Sequence, residues 1–284
     1  MKERIREYLN KEKSYKKHLW LNSVKELSSE NMQNDFFLKL PIYLKNYIIK
    51  SEKDIKLELV ALLFYRYITF IDAVIDGDIQ KGQNNNKKII FQATNSIMLG
   101  SIELSECLQN NIPLWTSFSE RLKSYLNTIT SEKEMFKKMS MDIKTAKSIA
   151  LGKHELLFFY LDCLISDEEL DKFEIVKLFS NIIFSIQLLD DINDIDKDFK
   201  NNILTYPISE LNLFFTKNNI ESKVFNLTYL CITKGANKLL IKVIEDLKHS
   251  CKVAIDLNLL ELHSEIILLK QYSEKKLQSI KNNQ

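Results

Sequence analysis

The longest apolar stretch of the chain, residues 53–76, reads KDIKLELVALLFYRYITFIDAVID. Its apolar and aromatic residues fall on nearly every side of a helix, so the pattern predicts a central helix buried all round. A second stretch of the same kind, FSNIIFSIQLL, runs directly into DDINDIDKD. The segment SDEELDKFE ahead of it supplies a start signal, with Ser166 at the N-cap and Glu169 at the capping-box position. Asn201 and Asn202 end that helix.

The same periodicity predicts helices over 42–50 after Pro41, 88–109, 114–130, 132–163 with an interruption near Gly152, 207–216, 221–249 and 252–280. Residues 1–35 read as one or two polar helices. GDIQKGQNNNKK, residues 77–88, carries the strongest loop signal, and Asn110-Asn111-Ile112-Pro113 marks another break. No repeat or composition shift divides the chain. The expectation is all-α: one helical domain, 1–284, of about ten helices.

Composition agrees. Only 5 Gly and 3 Pro interrupt a chain that is 45% hydrophobic and 27% charged. Few breakers among many helix formers favour helices throughout. A net charge of +2 gives no reason to expect nucleic acid or an anionic membrane as partner. Cys107, Cys163, Cys231 and Cys251 are widely spaced, which suits buried thiols of a reduced compartment better than zinc or disulfides. The basic start lacks the apolar core of a secretory signal, and no segment is apolar enough to span a bilayer, so a cytoplasmic location is expected.

Charge placement changes the picture most. Asp72 and Asp76 end the first apolar helix. Asp190, Asp191, Asp194 and Asp198 end the second. Residues four apart share a helix face, so Asp72 pairs with Asp76, and Asp190, Asp194 and Asp198 form a ladder. Like charges stacked this way repel, and carboxylates against apolar runs are costly unless paired or bound to cations. Two such ladders facing each other would make an oxygen-ligand site for hard cations holding a polyphosphate. Phe64, Tyr65, Ile68 and Phe184 lie on the runs leading into the clusters and are candidate walls of an apolar pocket. Their π-faces suit a carbocation left when an allylic carbon–oxygen bond breaks, and their bulk keeps water from it.

These residues resemble the class I isoprenoid synthase superfamily, which comprises prenyl diphosphate synthases, squalene and phytoene synthases, and class I terpene cyclases. The resemblance covers roughly residues 55–280. It implies a helical bundle with a central apolar cavity and Mg²⁺, three ions by the family pattern, held between Asp72, Asp76 and the set Asp190, Asp191, Asp194 and Asp198. Gln187-Leu188-Leu189-Asp190-Asp191-Ile192-Asn193-Asp194 is similar to the QxxDDxxD motif of chain-elongating synthases, which makes Gln187 a candidate substrate contact. The four-spaced Asp190, Asp194 and Asp198 also match the three-ligand pattern of the other two branches, although cyclases usually carry Asn, Ser and Glu there. Ala73 departs from DDxxD and leaves the DxxxD form of squalene-type enzymes.

By the same resemblance, Lys144-Thr145 stands about where a diphosphate-sensing cation is kept. Lys270 and Tyr272 stand near the position of a C-terminal pair that closes over the diphosphate. Asp72, Asp76, Asp190, Lys144 and Tyr272 are therefore the candidate catalytic set. The Arg and Gly-Lys-Arg features that hold a second diphosphate in transferases have no counterpart: Thr69 and Gln80-Lys81-Gly82 stand in their places. The expectation is a Mg²⁺-dependent terpene synthase that ionises one linear prenyl diphosphate and cyclises or quenches the cation. A prenyltransferase, head-to-head or chain-elongating, and a non-catalytic helical binding subunit are the alternatives. Chain length, product skeleton, stereochemistry and oligomeric state, a homodimer included, stay open.

Overall fold

A computed structural model describes residues 39–47 and 56–71 in part, and 83–282 apart from 109–111, 166–170 and 222–223. The described residues are helical, with no strand among them. Contacts divide the chain into two interleaved compact units: residues 1–118 with 156–167, and 119–155 with 168–284.

In the first unit, α1 (Leu40–Tyr43) takes Pro41 into its first turn, where the missing N–H has no partner to lose. The described residues of 56–71 are helical. α2 (Gln83–Leu108) begins inside the segment read as a loop, because Gln83-Asn84-Asn85-Asn86 follow Gly82 without a further breaker. The core of this unit includes an aromatic stack. Phe64 lies on Phe118 with ring centroids 5.2 Å apart, and Phe118 lies 5.1 Å from Phe159 of α5 (Glu155–Leu164). α2 comes close to Phe64 through Gly100, where a Cβ would sit 2.6 Å from the ring.

α3 (Ile112–Met135) runs from the first unit into the second without the break expected near residue 131. The break comes later. After a 3-10 turn (Phe136–Lys138), Met139 adopts φ 48° and Asp142 caps α4 (Ile143–Lys153) by accepting from the Thr145 N–H at 2.7 Å. α7 (Tyr206–Lys217) clamps this turn. Ser209 accepts from the Met141 N–H at 2.7 Å, and Asn212 donates to the Met139 carbonyl at 2.9 Å. The predicted helix 132–163 thus becomes two, with the interruption at His154, two residues past Gly152.

α6 (Lys172–Lys200) is the spine of the second unit. It is buried from Ile175 to Ile195 on most of its faces, against α4, α7 and α9 (Gly235–Asp256). Asp171 occupies its N-cap position, while Ser166 and Glu169 lie outside the described residues. α8 (Leu227–Ile232) and α10 (Leu260–Asn282) complete the unit, with α9 and α10 forming an antiparallel hairpin. The predicted helix 221–249 is split by Lys234, which takes φ 60°.

Three helices end alike. Asn202, Asn219 and Asn258 take φ 59°, 50° and 54° just past α6, α7 and α9. The next N–H returns to a carbonyl five residues back: Ile203 to Asp198, Ile220 to Phe215 and Leu259 to Ala254. Asn replaces the usual Gly in this left-handed cap. The motif holds the last turn of α6, where Asp198 sits. An aromatic chain braces the same turn: Phe199 lies 5.8 Å from Phe136 and 4.3 Å from Phe225, which lies 5.5 Å from Phe215.

Candidate functional site

The acidic half of α6 gathers four candidate ligands in the second unit. Asp190, Asp194 and Asp198 follow one another at four-residue spacing, and Asp191 stands beside them on the buried side, 7% exposed. Its carboxylate accepts a hydrogen bond from Gln187 Nε2 at 2.7 Å. Desolvation pushes the Asp191 carboxyl up to about 7, against this hydrogen bond and the pull of Lys153. Desolvation, joined by repulsion from Asp191 and Asp194, pushes Asp198 up to about 8. Asp190 keeps an exposed edge. Its carboxyl is also raised, by partial burial and then by Asp194.

Besides Lys197 of α6 itself, which acts on Asp190, two lysines from other helices reach this end of α6, and sequence reasoning singled out neither. Lys153, the last residue of α4, pairs with Glu132 of α3 at 2.7 Å. Its charge also acts on Asp190, Asp191 and Asp198. Lys276 of α10 donates to Asn193 Oδ1 and acts on Asp194. Burial lowers the Lys276 ammonium, and nearby Cys231 and Asp194 oppose that shift. A faint signal existed for Lys153, a cation shortly before the apolar run LLFFYL. None existed for Glu132 or Lys276, which sit in ordinary polar stretches.

Gly152 explains how Lys153 comes so near. A Cβ there would meet Thr128 of α3, lying 2.9 Å from its Cγ2 and 3.0 Å from its Cβ, and nearer still to Oγ1. The bare glycine lets α3 and α4 close, which brings Glu132 and Lys153 together. A second tie, Arg121 to Glu155 at 2.7 Å, closes the same seam. His154 sits beside it, with Nδ1 2.8 Å from the Ala150 carbonyl. Burial lowers its ring to about 4, so it is neutral near pH 7 and serves packing.

The other candidates lie elsewhere. Lys144 is exposed in the first turn of α4, and the Thr145 N–H is used by the Asp142 cap. Lys144 and Lys153 are nine residues apart, about 13 Å along the helix and on opposite sides of it. Lys147, between them, donates to Asn181 at 2.8 Å and stands 5.9 Å over the ring of buried Phe184. Lys270 pairs with Glu274 at 3.7 Å, and Tyr272 is half exposed. Phe64 belongs to the aromatic stack of the first unit, and Ile68 is partly buried there. Asp72, Asp76 and Tyr65 lie outside the described residues.

Among the described residues no three acidic, His or Cys side chains converge closely enough to hold a metal ion by themselves. The donor chemistry of the α6 ladder nevertheless fits a hard cation: carboxylate oxygens, partly desolvated and mutually repelling, on a rigid helix. Two concave regions are described: an open groove on α3 lined by Glu120, Lys123, Asn127 and Ser131, and a small cleft where Lys177 and Asn181 meet His249. Both are lined mainly by polar side chains, so neither is the apolar cavity expected. No helix among the described residues is long and apolar enough to cross a membrane. Compared with protein-family models, with curated proteins and with solved structures, the chain matches none.

Proposed function

We propose that this chain is a Mg²⁺-dependent class I terpene synthase, which ionises one linear prenyl diphosphate and releases diphosphate as the cation is cyclised or quenched. One observation carries the reading. Four aspartates crowd the end of a buried spine helix, and the carboxyls of Asp190, Asp191 and Asp198 are raised by desolvation and by neighbouring carboxylates. Carboxylates kept in that condition have an unmet demand for positive charge, which a divalent cation meets.

Asp190, Asp194 and Asp198 would hold the ions on this side, with Asp72 and Asp76 as their proposed partners. Mg²⁺ bound there supplies charge that stabilises the departing diphosphate. The chain's own residues do the rest. Gln187 orients the Asp191 carboxylate, and the left-handed cap at Asn202 with the Phe136–Phe199–Phe225 stack fixes the turn bearing Asp198. Lys153 and Lys276 add fixed positive charge beside the carboxylates.

The test is incubation with Mg²⁺ and prenyl diphosphates of two to five isoprene units, following released diphosphate and extracted products. The expected result is a hydrocarbon or alcohol with the carbon count of its substrate, abolished by Asp190→Asn with Asp198→Asn. Incorporation of labelled isopentenyl diphosphate would replace this reading with a prenyltransferase. One observation favours a non-catalytic binding subunit as the second reading: the absence of a self-sufficient three-ligand metal group among the described residues. Failure to release diphosphate from any of these substrates would establish that reading over the first.

A further inference from the structure

Independently of the reading above, we propose that the cleft between α6 and α9 is a binding site for a small oxyanion of the phosphate type. Lys177 and Asn181 of α6 and His249 of α9 supply its donors.

The donor character of the cleft is set from behind, by α4. Lys147 is half-buried. Among the described residues its partners are the Asn181 side-chain oxygen at 2.8 Å and the Phe184 ring at 5.9 Å, neither of them charged. An ammonium only donates, so it fixes which way the Asn181 amide turns. The oxygen faces Lys147, and the N–H₂ is left for the side where α6 meets α9. Lys177 adds an ammonium held only loosely, by Glu174 at 3.5 Å. His249 adds an exposed ring with no hydrogen-bond partner among the described residues. Ser250 contributes no donor, because its hydroxyl donates to the Asp246 carbonyl.

Shape and charge narrow the ligand. The interior is about 10 Å³, room for one oxygen-sized atom, between the apolar side chains of Leu178 and Val253. An oxyanion therefore seats one oxygen on the Asn181 amide and leaves the others at the mouth for Lys177 and His249. A metal ion is disfavoured, since Glu174 is the single carboxylate among the described lining residues and the Lys177 ammonium stands beside it. The cleft is also separate from the aspartates. Asn181 and Asp190 stand nine residues apart, about 13 Å along α6 and on opposite sides of it. Phosphate held here needs no divalent cation.

Inorganic phosphate is the probe, titrated with EDTA present and followed by the His249 ring resonances, which His249→Gln assigns. A saturable shift with a dissociation constant below about 10 mM is expected. Lys177→Met removes a contact and should weaken binding about threefold or more. Glu174→Gln removes the competitor for that ammonium and should tighten binding by about the same factor. Both side chains are about half exposed, so both variants should fold. Lys147→Met touches no part of the anion but frees the Asn181 amide to turn its oxygen inward, and should weaken binding about threefold or more, an effect that a merely structural lysine would not produce. Lys217→Met, an equal loss of charge at the exposed end of α7, should change nothing. The site is overturned by the absence of a saturable shift, by a shift that appears only with Mg²⁺, or by one that any of the first three variants, when folded, leaves unchanged. Each of these results leaves the proposed function standing.

Discussion

Asp191→Asn is the most direct probe of the electrostatics at the end of α6. The Asp191 carboxyl is raised to about 7 from an ordinary 3.8. The folded chain therefore holds this proton at pH values where the unfolded chain has lost it. Stability falls as pH rises from about 4 to about 7, and the penalty is complete above that. Carried by Asp191 alone, the rise corresponds to about 4 kcal/mol. Glu132, Asp190 and Lys153 share in it, so about 1–3 kcal/mol is the expected effect of removing the one charge. Asn keeps an oxygen for the Gln187 hydrogen bond and adds an N–H₂ whose partner must be found. That adds a cost of about 1 kcal/mol, the same at every pH. His154 tilts the profile the other way below pH 6.5. Its ring is lowered to about 4, so the unfolded chain takes up the proton first and stability rises with pH across that interval. The informative quantity is thus the difference between variant and wild type. Urea unfolding at pH 4.5, 6, 7 and 8 should show Asp191→Asn gaining about 1–3 kcal/mol relative to wild type between the ends of that range. A flat difference, or one that falls with pH, would refute the assignment of a strained buried carboxylate.

Three further outcomes are expected. Gly152→Ala gains about 1 kcal/mol of helix propensity but forces a Cβ into Thr128. The net should be a loss of about 1–2 kcal/mol, partly recovered in Gly152→Ala with Thr128→Ala, as a double-mutant cycle of unfolding free energies would read. His154→Gln should remove the loss of stability that the His154 ring contributes as pH falls from 6.5 to 4, read as the difference between variant and wild type in thermal melts against pH; a pH-independent difference would mean the ring is not buried neutral. Mg²⁺ should raise the melting temperature more at pH 8.5 than at pH 5.5, because protons on Asp191 and Asp198, with carboxyls at about 7 and 8, compete with the metal; equal shifts at both pH values would contradict that competition.

The sequence by itself determined that the chain is helical, that the FSNIIFSIQLL run is buried and that it ends in a ladder of aspartates. These are local matters: scarce Gly and Pro, apolar residues on all sides of one helix, and a four-residue spacing that helix geometry converts to a face. Helix ends were less legible. Met139 and Lys234 take left-handed conformations that their residue types do not favour, so the breaks they make depend on what surrounds them. Of that kind is the clamp of Ser209 and Asn212 on the Met139–Asp142 turn, which joins residues about 70 apart in sequence. Tertiary structure also decided which cations serve the acidic end. Lys144 and Lys270 stand at suggestive places along the chain, yet Lys153 and Lys276 reach the aspartates. Helical phase and the close approach at Gly152 select them, and both are set by packing between helices distant in sequence.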